Sequence, residues 1–381
     1  GTRTVDLTHS EVGAPLKRRY LSGFEYSDCW VDDARLVVLN AMDAHERGAS
    51  IRTRTRVTRA ERGEEWKLIL NAEGRREVVT ARALVNAAGP WAGIVADSVL
   101  RMPGPAPVRL IKGSHIVVPK LFRHDRGYIF QNDDQRIVFA LPFHDDFTMI
   151  GTTDLNFSGD LAAPAPSAEE IDYLRRAAGA YFREEIGETV WAFAGVRALY
   201  DDGSRKAQDT TRDYVLVFDH PDGAAPLLTV YGGKITTFRR LAEEALDLLA
   251  PALGCTAPAW TQQGYLPGGD LPANGSTPPE VFAAYVAALQ ARFAHHPAAT
   301  IHRLARTYGR EAEGLLEAGA APVAGDVSAA ELEHAWTREW ARDAQDFLWR
   351  RTKLGLHLPP GDQAAIAAWF DARRTTAGQS S

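Results

Sequence analysis

One histidine within a predicted strand and two arginines near strand ends have side chains that could take part in chemistry. His115 stands in "IKGSHIVVP", Arg197 in "GVRALYDDG" and Arg212 in "TTRDY". Histidine is the side chain best matched to taking a proton near neutral pH, although a histidine in a strand is more often a core or surface residue. Two arginines beside glycine and short polar residues can clamp a phosphate, although a single arginine is usually surface charge.

A second feature is the stretch "LLTVYGGKITTFRRLAEEA", in which a predicted strand passes into a predicted helix at Gly232, Gly233 and Lys234. It is not a nucleoside-triphosphate loop, because Leu228 holds the place of the first glycine and Ile235 follows the lysine. Glycines let the backbone approach a ligand closely, and a helix start carries positive partial charge. The sequence therefore indicates an anionic or electron-rich ligand here, with an ordinary strand-to-helix turn as the alternative.

A second glycine-containing turn occurs in "VNAAGPW", where Ala88 and Gly89 follow the apolar stretch 83–87. That composition is typical of a parallel strand buried on both faces. Ligands of open α/β sheets bind at the carboxyl ends of such strands, although a plain strand-to-helix turn would look the same. Taken together, the features predict a site for a phosphorylated substrate and an organic cofactor.

The pattern around these residues predicts the elements that position them. A helix is expected from about Asp33 to a stop at Gly48. Antiparallel strands are expected from Val108 onward, followed by a helix with a capping box of Ser167 and Glu170. Beyond a Pro- and Gly-rich linker the pattern is almost entirely helical, which predicts a domain boundary near Cys255.

The composition excludes several classes of protein. The chain has 381 residues with a net charge of -6, and its pI near 6.0 argues against a nucleic-acid binder. Two cysteines, Cys29 and Cys255, are too few for a disulfide framework and indicate a reducing compartment. We find no apolar run long enough to span a membrane and no signal peptide. The first residues, "GTRTVDLTHSEVG", lack a methionine, from which we expect an amino-terminal part to be missing.

Several motifs in register point to a known family. The stretches "GFEYSDCWVDDARLV", "LVNAAGPW", "RLIKGSHIVVP", "IGTTD", "GVRALYDDG" and "GGKITTFRRLAE" occur in the expected order. On these motifs the chain closely resembles the FAD-dependent, respiratory sn-glycerol-3-phosphate dehydrogenases of bacteria. The resemblance runs from about Leu16 to the carboxyl end and includes "AWTREWARDAQDFLWRRTKLGL" in the helical tail.

The resemblance implies an α/β fold, α+β in part. It comprises an incomplete glutathione-reductase-like FAD domain, an inserted substrate domain on an antiparallel sheet, and a carboxyl-terminal helical domain. The implied boundaries are 1–30 for part of the substrate domain, 31–100 for part of the FAD-binding domain, 101–190 for the substrate domain, 191–254 for the return of the FAD-binding domain, and 255–381 for the helical domain.

The resemblance also implies the reaction, which is oxidation of sn-glycerol 3-phosphate to dihydroxyacetone phosphate with hydride transfer to FAD. His115 would act as the base, and Arg197 would orient or polarise the C2 oxygen. Arg212 would help to hold the phosphate, and Lys234 would lie between substrate and flavin. The positions implied to contact FAD are Val57, Ala88, Gly89, Gly232, Gly233, Lys234, Thr236 and Thr237, the last two through backbone N–H groups.

The family's opening strand and its G-x-G-x-x-G turn are absent, which supports a fragment that binds FAD poorly. The implied electron acceptor is membrane quinone, at the inner face of the cytoplasmic membrane, with peripheral attachment and a homodimeric assembly. Three alternatives stay open: a glycerol-3-phosphate oxidase that uses oxygen, a flavin amine oxidase with a carboxylate-binding pocket, and an inactive remnant without a working flavin site.

Overall fold

The computed structural model describes residues 1–102, 108–200, 213–319 and 321–379. The chain forms two compact units, one of Gly1–Cys29 with Arg54–Ala259 and the other of Trp30–Thr53 with Trp260–Ser381. The boundary expected near Cys255 lies close to Ala259. The segment Trp30–Thr53 groups with the helical tail, whereas the resemblance had placed it in the FAD-binding domain.

The elements within the described residues follow the predicted order of mixed segments and then helices. The α-helices are α1 (Asp33–Glu46), α2 (Ala92–Ile94), α3 (Ala168–Gly179), α4 (Phe238–Leu253), α5 (Pro278–Arg292), α6 (Ala298–Tyr308), α7 (Ala312–Glu317), α8 (Ala329–Thr337) and α9 (Pro360–Gln379). The strands are β1 (Arg3–Asp6), β2 (Ser22–Glu25), β3 (Thr55–Arg62), β4 (Trp66–Ala72), β5 (Arg75–Ala81), β6 (Leu84–Asn86), β7 (Val108–Pro119), β8 (Tyr128–Gln131), β9 (Ile137–Phe143), β10 (Phe147–Gly151), β11 (Leu155–Asn156), β12 (Trp191–Tyr200), β13 (Val215–Asp219), β14 (Leu227–Tyr231), β15 (Pro322–Ala324) and β16 (Val327–Ser328).

The largest sheet of the first unit is antiparallel and centres on β7. Strand β12 pairs along one side of β7, and β10 and β11 pair along the other, with β9 and β8 beyond β10. Ile116, Val118 and Ile150 point from one face of this sheet into a core that contains Leu174 of α3. Helix α3 begins with the predicted capping box of Ser167 and Glu170.

A smaller sheet carries the predicted parallel pair. Strands β6 and β14 run parallel, with Val85 opposite Leu228, and β13 pairs antiparallel on the other side of β14. The apolar strand was expected to be buried on both faces, but Val85 is 44% exposed. That expectation is wrong, because among the described strands β6 pairs only with β14 and lies at an edge of its sheet.

The second unit is helical and includes α1 from early in the chain. Two apolar clusters form its core, one around Tyr285 and Ile301 and the other around Phe347 and Phe370. Among the described residues, no helix combines the length and the apolarity that crossing a bilayer requires. The described residues also contain no group of three or more His, Cys, Asp or Glu side chains placed to hold a metal ion.

Candidate active site

Two glycine-bearing turns lie at the same edge of the small sheet of the first unit. Because β6 and β14 are parallel neighbours, their carboxyl ends meet at that edge. Strand β6 runs out through Ala88 to Gly89, whose φ is +54°, and β14 runs into Gly232 and Gly233, whose φ values are +70° and +99°. These are left-handed conformations that favour glycine. The predicted close-approach positions are therefore neighbours in the fold.

The packing at these glycines shows why a side chain is excluded and where space remains. A Cβ on Gly232 would stand 3.1 Å from the carbonyl oxygen of Asp213, and a Cβ on Gly233 would stand 3.2 Å from Cβ of Tyr214. Gly89 has no atom within 4 Å of its Cβ position. The backbone at this edge is therefore open on the Gly89 side, which fits a planar organic group lying against it.

We expect Gly233→Ala to lower the amount of FAD that the purified protein retains. The added methyl would meet Tyr214 and also Leu241, whose Cδ1 atom is 3.3 Å away, in a conformation with φ of +99°. Such strain costs about 1–3 kcal/mol. Gly254→Ala is the matched control, since Gly254 has φ of +67° but open space and ends α4. Equal FAD-to-protein absorbance ratios in the two variants would contradict the assignment of Gly233 to the cofactor site.

Lys234 stands between the glycines and α4. It is exposed, and it precedes a short 3₁₀ turn at Ile235–Thr237. The backbone N–H and the hydroxyl of Thr237 both donate to the carbonyl oxygen of Lys234, at 3.0 and 2.9 Å. The Thr237 N–H is thus engaged inside the turn, whereas the resemblance implied that it contacts the flavin. An ammonium group beside a helix start favours negative charge at this place.

Strand β12 links the glycine turns to the large sheet. The carbonyl oxygen of Ala198 lies 3.5 Å from the Cβ position of Gly232. The ring of Tyr200 lies 6.1 Å from that of Tyr231, centroid to centroid, and the turn at Gly89–Trp91 also contacts β12. The two glycine-bearing turns and the antiparallel sheet therefore meet at one strand, next to Arg197.

His115 lies in the middle of β7, on the face opposite the α3 core. Its half-buried ring stacks on Phe193 of β12, with centroids 5.0 Å apart and planes at 9°. Gly151 of β10 leaves the space that the ring fills, because a Cβ there would stand 2.0 Å from the imidazole. The ring is therefore held between two neighbouring strands.

Arg197 shares that face of the sheet. It lies opposite Ile111, and directly opposite residues of an antiparallel pair point to the same face. Its Nη2 atom is 3.2 Å from Oδ1 of Asp154 and 3.2 Å from the Cβ position of Gly113, two residues from His115. The structure therefore brings Arg197 and His115 together, with Asp154 fixing the guanidinium.

Three further residues predicted for the site are Val57, Thr236 and Arg212. Val57 is half-buried in β3 and packs on the apolar cluster around Trp66. Thr236 is exposed in the 3₁₀ turn. Arg212 lies outside the described residues. Sequence reasoning missed the Phe193 stack and Asp154, although Asp154 belongs to the quoted "IGTTD" motif.

A buried carboxylate lies on the opposite face of the same sheet. The Oε1 atom of Glu170 accepts hydrogen bonds from Ser114 Oγ at 2.8 Å and Thr153 Oγ1 at 2.9 Å. The Oε2 atom is 2.8 Å from Lys112 Nζ and accepts from the Ser167 N–H at 2.8 Å. Burial alone would raise the pKa of Glu170, but these donors, Lys112 first, outweigh it and hold the pKa at about 2.

The stabilisation that the Glu170 carboxylate provides should be lost in acid, when the carboxylate is protonated. Because the folded-state pKa of about 2 is below the ordinary 4.5, its stabilisation is complete above about pH 4.5 and is lost as the pH falls toward 2. The unfolding free energy from urea titrations of wild type and Glu170→Gln, followed from neutral pH into that window, should converge as the pH falls. A difference that stays constant through the window would rule out this titration.

Backbone turns that admit a planar group, beside a histidine and a fixed arginine, suit a redox enzyme with an organic cofactor. Comparison with known protein families identifies the class of enzyme. Residues 4–239 match the family described as "FAD dependent oxidoreductase". Residues 259–372 match the family described as "C-terminal domain of alpha-glycerophosphate oxidase". The chain belongs to the FAD-dependent oxidoreductases, and its cofactor is FAD.

Its relatives include bacterial glycerol-3-phosphate dehydrogenases. The enzyme of Pseudomonas aeruginosa is 45% identical over 94% of this chain and 70% of that protein. The aerobic glycerol-3-phosphate dehydrogenase of Escherichia coli is 42% identical over 93% of this chain and 72% of that protein. D-erythritol 1-phosphate dehydrogenase of Brucella abortus is 41% identical over 97% of this chain and 75% of that protein. The predicted family is confirmed.

A solved structure supports the fold. The FAD complex of glycerol-3-phosphate dehydrogenase from Bacillus halodurans superposes with a TM-score of 0.74, covering 98% of this chain and 81% of that one at 21% identity. The predicted architecture of an FAD-binding fold with an antiparallel substrate sheet and a helical domain is confirmed.

Proposed function

We propose that this protein oxidises the C2 hydroxyl of sn-glycerol 3-phosphate to the ketone of dihydroxyacetone phosphate. The observation that carries the proposal is the position of Arg197, which shares a sheet face with His115 and is followed by Ala198 against the turn at Gly232. A base, a cation for the substrate oxygen and the cofactor turn thus adjoin one strand. The similarity to glycerol-3-phosphate dehydrogenases supports the choice of substrate.

Each side chain at the proposed site has its own role in this oxidation. His115 accepts the proton of the C2 hydroxyl, with its ring held by Phe193. Arg197 donates to the same oxygen and is itself oriented by Asp154. Bound FAD supplies the acceptor for the two electrons that leave C2 as a hydride. Lys234 and the start of α4 stabilise the negative charge that develops on the cofactor side.

The phosphate of the substrate is assigned to Arg212 together with Arg197. Guanidinium groups bind phosphate oxygens in pairs, which fixes the orientation of the ligand. The remaining FAD contacts are assigned to the backbone positions Val57, Ala88, Gly89, Gly232, Gly233 and Thr236. Thr237 is left out of this set because its N–H donates to Lys234 within the turn.

The electron acceptor that we propose is membrane quinone, with the protein attached peripherally to the inner face of the cytoplasmic membrane as a homodimer. The name of the aerobic Escherichia coli relative supports a respiratory role. The match of the helical tail to an oxidase domain supports oxygen as the alternative acceptor. Oxygen uptake, compared with reduction of a soluble quinone analogue, separates the two.

A second substrate is favoured by one relative. D-erythritol 1-phosphate dehydrogenase of Brucella abortus is nearly as similar as the glycerol-3-phosphate enzymes. Both substrates carry a secondary hydroxyl next to a phosphorylated primary carbon, so the same base and cations serve either. The length of the polyol beyond the reacting carbon distinguishes them.

The deciding experiment mixes the full-length, FAD-loaded protein with glycerol 3-phosphate without oxygen and follows the visible flavin absorbance. Bleaching is expected. If the flavin stays yellow, glycerol 3-phosphate is not the substrate. Bleaching by D-erythritol 1-phosphate alone would then assign the longer polyol, and bleaching by an amino acid would assign an amine oxidase.

A further inference from the structure

The Glu170 carboxylate joins three segments behind the sheet that carries the proposed active site. It bonds Lys112 and Ser114 of β7, Thr153 just after β10, and the Ser167 N–H at its own helix start. Glu170, Ser114 and Thr153 are each at most 4% exposed. Each carboxylate oxygen has two donors, so the group is fully satisfied inside the protein.

The residues that Glu170 holds are the sequence neighbours of the residues assigned to chemistry. Ser114 directly precedes His115, and Thr153 directly precedes Asp154, the partner of Arg197. The Ser114 N–H also donates to Thr153 Oγ1 at 2.9 Å, and the Thr153 N–H donates to the Ser114 carbonyl at 3.4 Å. One carboxylate thus locks β7 and the β10 end together behind the sheet.

Successive residues of a strand point to opposite faces, so Glu170 cannot touch a substrate on the His115 face. Its influence must pass through the backbone of β7 and the 151–154 segment. The His115 ring is sensitive to that backbone, because it fills the space over Gly151 and stacks on Phe193. A shift of β10 against β7 would therefore move the ring.

We propose that Glu170 is a positioning residue that sets the placement of His115 and of the Arg197–Asp154 pair through Ser114 and Thr153. The effect on turnover rests on the proposed function, whereas the effect on the His115 ring does not. Small misplacement of a reacting group can cost about 100-fold in rate.

The first test observes the His115 ring by NMR spectroscopy and needs no substrate. The ¹H–¹³C signal of His115 is assigned in the FAD-loaded, histidine-labelled protein by its loss in His115→Gln. We expect Glu170→Gln and Thr153→Val to shift or broaden this signal. Glu169→Gln is the control, because Glu169 is the exposed neighbour on the same helix. A His115 signal unchanged in Glu170→Gln would overturn the proposal whatever the substrate.

The second test is a double-mutant cycle on the rate of flavin reduction. Glu170→Gln and Ser114→Ala should each slow reduction about tenfold or more at unchanged FAD content, and the double variant should be no slower than the slower single one. Substrate Kd should change less than the rate of reduction, since Glu170 reaches Arg197 only through Thr153 and Asp154 and does not hold the base and the phosphate contacts equally.

A purely structural role would give a different pattern. Ser167→Ala removes the side-chain cap, in which Ser167 Oγ accepts from the Glu170 N–H at 3.3 Å, and keeps the Ser167 N–H that donates to the Glu170 carboxylate. If Ser167→Ala slows reduction as much as Glu170→Gln at equal loss of Tm, helix stability explains the effect and the proposal fails. If wild-type flavin is not reduced by either polyol phosphate, the proposed function fails, and the ring signal still decides the positioning role.

Discussion

His115→Ala is expected to slow reduction of bound flavin by glycerol 3-phosphate by about 10²–10⁴-fold, the usual contribution of a general base. The variant removes the general base that we place at the C2 hydroxyl, while β7 keeps its pairing with Gly151 and Phe193. Stopped-flow absorbance without oxygen gives the rate, and added imidazole should restore part of it.

Phe193→Leu tests how much the stacked Phe193 ring contributes while His115 remains in place. It removes the ring stacked 5.0 Å from His115 but leaves the imidazole, so it should slow reduction far less than His115→Ala. Reduction by His115→Ala at the wild-type rate would remove the base assignment. A Phe193→Leu protein as slow as His115→Ala would show that placement of the ring, more than its presence, limits the reaction.

The second large effect is expected in the helical unit. Arg35 of α1 donates from Nη1 to Oε1 of Glu339 at 2.5 Å, and the two residues are 8% and 0% exposed. Burial would raise the pKa of Glu339, but Arg35 and His334 outweigh it and lower the pKa, so the carboxylate is ionised. Glu339→Ala would leave the guanidinium buried against the Tyr308 ring without its counter-ion.

Breaking such a pair typically costs about 3–5 kcal/mol, which should appear as a lower urea midpoint for the helical unit. The control is Arg338→Ala, because Arg338 bonds Glu46 and Glu311 with 44% of its side chain exposed and should cost at most about 1 kcal/mol. Replacing both buried partners, as Arg35→Met with Glu339→Leu, should cost less than Glu339→Ala alone. Equal midpoints for Glu339→Ala and Arg338→Ala would contradict the argument.

The helices and strands were predicted well because helix caps and apolar periodicity involve residues that are close in the sequence. The helix from about Asp33 was predicted from the spacing of its apolar residues, and in the structure Asp32 caps it by accepting from the Arg35 N–H. The capping box of α3 was likewise read from two residues three positions apart. The strand β6 was predicted from its apolar composition, but the exposure of Val85 depends on which strands flank it.

The site was predicted less completely because it depends on register. That His115 stacks on Phe193, rather than on a residue one position away, is set by the pairing of β7 with β12 over ten residues. The role of Asp154 likewise needs the three-dimensional position of Arg197. The grouping of α1 with the helical tail involves contacts between residues far apart in the chain, such as the ion pair of Arg35 and Glu339, 304 positions apart, which no sequence periodicity indicates.

That last contact has a consequence for how the chain is made. The domain description that matches residues 259–372 leaves out α1, although α1 belongs to the same compact unit. During translation at about 5–20 residues per second, Arg35 emerges roughly 15–60 s before Glu339 exists. For that interval the guanidinium of Arg35 cannot form the ion pair that it has in the folded unit. The helical unit is therefore completed only after Glu339 has been made, and α1 is the segment that we expect to need a chaperone's protection until then.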